Sequence, residues 1–120
     1  MKIKEIKIFQ VNLTMKEGHY SWSNQSFRSF DSTVVEIITN QGISGFGEIC
    51  PLGPSYLPSY SEGVRVGIKK LSEILLGKDP SNINNINFLM DNALKGHPYV
   101  KSAVDIACWD ILGKKMNIPV

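Results

Sequence analysis

The chain has 120 residues, enough for one domain with one modest core. Its 13 basic and 11 acidic side chains leave a formal charge of +2 with no basic run longer than two, which argues against nucleic acid or a membrane surface as partner. Hydrophobic residues make up 42% and charged residues 20%, as in ordinary globular domains, and no apolar stretch approaches the roughly 18–20 residues that span a bilayer.

The first residues, MKIKEIKIF, carry charges inside an apolar pattern and do not read as a signal peptide, so a cytoplasmic location is expected. Residues 2–14 alternate like a strand with a change of phase. Ile6 and Ile8 face one way and Phe9, Val11 and Leu13 the other, which predicts a bulge or a strand covered on both faces. Residues 31–39 (DSTVVEIIT) are rich in β-branched side chains and predict a second strand. Asn40-Gln41-Gly42 is a turn signal, and residues 43–50 predict a third strand that closes a hairpin. Glycines 45 and 47 flank Phe46, a pattern that suits a strand onto which a helix or other backbone packs closely.

Residues 51–58 (PLGPSYLP) predict a stiff loop. Ser59 and Glu62 fit a capping box for a helix with Val64, Ile68, Leu71 and Leu75 on one face and Gly77 as its stop. Asp79-Pro80 predicts the start of a second helix, with Ile83, Ile86, Met90 and Ala93 as its apolar face and Asn82, Asn84, Asn85 and Asn87 as its solvated side.

The last helix is predicted from Pro98 to about Lys115, and it is apolar almost all round. At 100° per residue its polar groups Lys101, Ser102 and Asp105 share a narrow arc, with Lys101 and Asp105 expected as a solvated pair. Asp110 lies on the far side among Val100, Ala103, Val104, Ala107 and Ile111, placed to pair with Lys114. So narrow a polar stripe suits an interior, and a chain with only two other helices has little interior to give. Part of this helix is therefore expected to pack on something beyond the domain.

Few groups suggest chemistry of their own. Cys50 and Cys108 read as reduced, packed thiols, and neither has a neighbour at zinc-ligand spacing. Glu48 and Asp110 read as structural carboxylates, and His97 as a capping or packing residue. The connection from Met15 to about Phe30 is longer than a meander needs and carries His19, Tyr20, Trp22, Phe27 and Arg28. It either folds over its own domain or lies as a lid on a ligand site. Tyr56, between Pro54 and Pro58, is either an ordinary packed or surface tyrosine or a ring aimed at a ligand.

The run AVDIACWDILGK followed by NIP, together with Gly42-Ile43-Ser44-Gly45-Phe46-Gly47-Glu48, resembles the N-terminal capping domain of the mandelate racemase/muconate lactonizing branch of the enolase superfamily. The motifs occur in order at the separation of that family, and the resemblance covers essentially the whole chain. It implies an α+β fold, a three-stranded antiparallel meander followed by a helical bundle, over residues 1–116. Residues 117–120 would then open a linker to a (β/α)-barrel.

The resemblance also implies a parent enzyme that racemises, epimerises, dehydrates or cycloisomerises a carboxylate substrate through an enediolate. Its Mg²⁺ ligands and bases would lie in the barrel, so no catalytic or metal-binding residue is expected among these 120, and no activity from them alone. The barrel would pack on residues 98–115, and the parent would be a homo-oligomer. The long loop would be a lid, with His19, Tyr20, Trp22 and Tyr56 as substrate-binding candidates. The run PLGPSYLPSY is similar to the subgroup acting on proline betaines and hydroxyprolines, where a ring face would attract a substituted ammonium. The competing reading is a non-enzymatic α+β module that binds a peptide or partner protein through the loop or a sheet edge.

Overall fold

A computed structural model describes all 120 residues. The fold is α+β. Strands β1 (Ile3–Thr14), β4 (Ser29–Thr39) and β5 (Ser44–Ile49) form an antiparallel sheet in the order β1-β4-β5. Helices α1 (Ser61–Leu75), α2 (Ile83–Ala93) and α3 (Pro98–Met116) follow. The meander and helices match the expectation, with one addition. The long connection is itself a small hairpin, β2 (Tyr20–Trp22) paired with β3 (Gln25–Phe27).

The phase change in β1 has a simple origin. Directly opposed residues share a sheet face. Ile6 and Ile8 lie opposite Ile37 and Val35, which are fully buried, whereas Phe9 lies opposite Val34 on the outer face. The strand is apolar toward the helices in its first half and apolar outward in its second. The bulge falls between Ile3 and Glu5, at the strand's start.

The core joins Val35 and Ile37 of the sheet to Val64, Ile68, Leu71 and Leu75 of α1, Ile86 and Met90 of α2, and Val100, Ala103, Val104, Ala107, Cys108 and Ile111 of α3. Helix α3 lies along β5. A Cβ on Gly47 would collide with the Ala103 carbonyl, and one on Gly45 with the Ala107 carbonyl and the Ile111 side chain. The helix edge is then tied to the strand by polar groups. The Phe46 N–H donates to Asp110 (2.8 Å), and Lys114 Nζ donates to both Asp110 (2.7 Å) and the Ser44 carbonyl (2.8 Å). The expected Asp110–Lys114 pair therefore also satisfies a backbone donor on an edge strand.

Three local expectations fail. Helix α1 has no capping box: its N-cap is Tyr60, without a side-chain cap bond, and the Ser61 hydroxyl donates instead to the Asp31 carbonyl (2.6 Å). Helix α2 does not start at Pro80. Asp79 accepts from the Ser81 N–H and hydroxyl in a turn, and Asn82 caps a helix that begins at Ile83. Lys101 does not pair with Asp105. It bonds Asp91 at the end of α2 (2.6 Å), and Asp105 accepts from Asn87 (2.8 Å), so Asn87 is not simply solvated. At α1 and α3 contacts between elements replace the local ones, whereas at α2 a local turn and the Asn82 cap delay the helix start.

Gly47→Ala is expected to destabilise the domain by about 2–3 kcal/mol, the scale of overpacking a tight interior. Urea unfolding checks this, with the midpoint falling and the slope unchanged.

Candidate functional site

The hairpin β2–β3 turns at Ser23 and Asn24, Ser23 having φ 45°. Its register sets Tyr20 opposite Phe27 and Trp22 opposite Gln25. The Trp22 ring stacks on Phe27 at 4.9 Å, and Phe27 stacks on Phe30 at 5.3 Å. Tyr20 lies 5.5 Å from Trp22 and 6.2 Å from Phe30. In the second loop, the Gly53 carbonyl accepts from the N–H groups of Tyr56 and Leu57, and this turn presents Tyr56. The Tyr56 ring meets Trp22 edge-on at 5.7 Å.

Three of the four candidate residues, Tyr20, Trp22 and Tyr56, thus belong to one aromatic surface built from two loops. Tyr20 and Tyr56 keep about half their area in solvent, 51% and 56%. His19 is exposed beside the hairpin and outside the ring cluster. Phe30, the ring at the base of the stack, was not singled out from sequence. The period-two pattern Tyr20, Trp22, then Gln25, Phe27, around a two-residue turn was the signal for the hairpin.

Below the stack, β4 is fastened to α1. Arg65 forms a two-pronged bond to Asp31, Nη1 to Oδ1 and Nη2 to Oδ2, each 2.9 Å, and also reaches Thr33 Oγ1 at 3.3 Å. Both side chains are partly buried. A cleft at this junction is lined by Phe27, Phe30, Asp31, Leu52, Ser61 and Glu62. The Arg65 bond holds the Asp31 carboxyl below its ordinary value of 3.8, against the opposing effect of burial. The second loop also borders the start of α3, where Leu57 and Pro58 share a cleft with His97, Pro98 and Tyr99. His97 has φ 51° and makes no side-chain cap bond; its ring packs 5.7 Å from Tyr99.

Several other ionisable groups are committed elsewhere. Glu48 accepts from the Ser32 hydroxyl (2.5 Å). Burial disfavours the charged form of Asp110, but the bonds from Lys114 and the Phe46 N–H outweigh it and lower its pKa. Burial, with Asp105 nearby, pushes the Cys108 thiol up to about 12, and burial raises Cys50 as well; neither is in a disulfide. No three His, Cys, Asp or Glu side chains converge as a metal site would need, so the residues here do not fit a Mg²⁺ centre. No helix is long and apolar enough to cross a membrane. Along α3, Ile106, Trp109 and Met116 remain about half exposed, at 47%, 45% and 58%. With Ile118 and Val120 beyond the helix they make an exposed apolar stripe.

The antiparallel meander backed by three helices is an architecture that this chain shares with solved enolase-superfamily structures. A family model for the mandelate racemase / muconate lactonizing enzyme N-terminal domain matches residues 3–120, and the chain belongs to that family. The cis-3-hydroxy-L-proline dehydratase of Roseibium aggregatum is 58% identical over 121 residues, covering 100% of this chain and 33% of its own length. The N-succinyl-L-Arg/Lys racemase of Bacillus cereus is 35% identical, covering 100% of this chain and 32% of its own. Among solved structures, a mandelate racemase/muconate lactonizing enzyme from Roseovarius nubinhibens superposes with a TM-score of 0.92 at 34% identity, covering 96% of this chain and 31% of that one. An enolase-superfamily member from the same organism, complexed with magnesium, superposes at 0.88 with 43% identity, covering 96% and 31%. The chain spans about a third of the length of the curated relatives it matches.

The depressed pKa of Asp31 predicts a pH dependence. A lowered carboxylate pKa stabilises the fold above the unfolded-state value, and this contribution fades as pH falls through the folded value. The stability gap between the native chain and Asp31→Asn is therefore expected to be full above pH 3.8 and to shrink steadily below it. Urea midpoints measured across pH 2–6 on both proteins check this; a gap that widens in acid contradicts it.

Proposed function

We propose that residues 1–116 form the substrate-capping and specificity domain of a Mg²⁺-dependent enzyme of the enolase superfamily, with residues 117–120 opening the connection to a (β/α)-barrel. The parent reaction is racemisation, epimerisation, dehydration or cycloisomerisation of a small carboxylate. The barrel covers α3 along Ile106, Trp109 and Met116, and supplies the metal ligands and the proton-transferring groups. The 120 residues alone do not turn over substrate.

The observation that carries this reading is the edge-on contact of Trp22 with Tyr56, which joins two loops into one half-exposed aromatic surface. A lid of this kind excludes water and selects the substrate as it closes. His19, Tyr20, Trp22 and Tyr56 are the side chains proposed to face it. A cyclic amino acid or its betaine suits the surface, because a substituted ammonium is attracted to ring faces by about 0.5–2 kcal/mol. The 58% identity to a hydroxyproline dehydratase supports the same substrate class.

The test is steady-state kinetics of the intact protein with Mg²⁺ and cis-3-hydroxy-L-proline. Trp22→Ala and Tyr56→Ala are expected to raise KM about tenfold, with kcat changed less than about threefold. His19→Ala, outside the ring cluster, is expected to have the smallest effect. Unchanged KM in both ring variants, or metal-dependent turnover by residues 1–120 alone, contradicts the reading.

A further inference from the structure

We infer that Arg65 is the positioning residue of the aromatic lid: its fork on Asp31 fixes where the Trp22–Tyr56 surface stands. The inference rests on the proposed reading only for its consequence in substrate binding; the mechanical part stands on the contacts alone.

The hairpin has few ties of its own. The Met15 N–H donates to the Arg28 carbonyl at its base (3.0 Å), and Ser21 bonds Ser26 within it (3.1 Å). No hydrogen bond joins residues 16–27 to the rest of the molecule. Ring packing therefore locates the hairpin, and it has two anchor points, Phe30 and Tyr56. Tyr56 sits on a loop. Phe30 sits in β4, paired with Leu13 of β1 and next to Asp31, so this better-fixed anchor is held by the β1 ladder on one side and by the Asp31 clamp on the other.

Asp31 is held from both of its polar ends. The Ser61 hydroxyl donates to its carbonyl at 2.6 Å, and the Arg65 guanidinium takes both carboxylate oxygens at 2.9 Å. Both donors are on α1, whose Val64 and Ile68 lie in the core. A bidentate charge-assisted pair is both stronger and more directional than a neutral hydrogen bond. A continuous line of contacts thus runs from the core helix through Arg65, Asp31, Phe30 and Phe27 to Trp22 and Tyr56. Arg65 makes no cation–π contact with the surface that it orients. Lysine cannot replace it, since a single ammonium lacks the fork.

The experiment combines peptide-resolved hydrogen exchange with kinetics on the intact protein, comparing Arg65→Met and Arg65→Lys with the native chain. In Arg65→Met, exchange across residues 19–28 is expected to quicken by about tenfold or more while residues 103–111 of α3 stay protected. Arg65→Lys is expected to fall between the two. With cis-3-hydroxy-L-proline as the probe, KM rises several-fold and kcat holds within about twofold. Should Arg65→Met not fold, Asp31→Asn removes the opposite partner of the same ion pair at constant volume and is expected to give the same selective loosening. Hairpin exchange that does not change in a folded variant, or loosening that spreads equally through α3, overturns the inference. Selective loosening with an unchanged KM leaves the clamp standing and defeats the lid reading instead.

Discussion

Two glycines on an edge strand let a helix backbone settle onto a sheet at a distance any side chain would forbid, and the rest of this domain is arranged around that contact. Because Gly45 and Gly47 admit the carbonyls of Ala107 and Ala103, α3 lies flat along β5. Its polar edge can then reach the strand, where Asp110 and Lys114 satisfy the Phe46 N–H and the Ser44 carbonyl. An exposed sheet edge is a hazard for unwanted pairing, and here a side chain occupies one of its donors. The same placement buries Val100 and Val104 beside α1 and turns Ile106 and Trp109 outward. One close approach thus decides which side of α3 belongs to this domain and which is left for another surface.

From that seat the order propagates toward the loops. Helix α1 is fixed by the core, Asp31 by α1, Phe30 by its pairing with Leu13 and its place beside Asp31, and the hairpin rings by Phe30 and Tyr56. The domain therefore combines a rigid base with a rim whose only internal ladder is three residue pairs long. That division suits a cap. In the proposed capping role the rim would open and close over a ligand, and the base would return it to one place. Several acidic groups conform to the same division: Asp31, Glu48, Asp79, Asp91, Asp105 and Asp110 are each engaged by a nearby donor, and none is gathered with others for metal chemistry.

The long-range features were the legible ones. The glycine pair, the over-apolar last helix and Asp110 on its apolar side each stated a tertiary demand in sequence, because a defect in local propensity needs a partner to explain it. What could not be read were choices between equivalent local partners. Ser59 and Glu62 are correctly spaced for a capping box, yet Ser61 is drawn to the Asp31 carbonyl, a residue 30 positions away. Lys101 and Asp105 are correctly spaced for a helical pair, yet Asp91 and Asn87 on α2 take them. The aromatic content of the long loop is plain in sequence, but the role of Phe30 depends on its stacking against Phe27 and Tyr20, which only the folded chain reveals.

The central claim is that two loops of this domain form one aromatic wall facing a substrate. The most direct measurement is a crystal structure of the intact protein with Mg²⁺ and a bound cyclic amino acid such as L-proline. The account predicts the ligand's ring nitrogen within about 6 Å of an aromatic ring centroid of the Trp22–Tyr56 surface, with the barrel seated on Ile106 and Trp109. A ligand bound away from both loops, or an Ile106–Trp109 stripe still open to solvent in the intact protein, would contradict it.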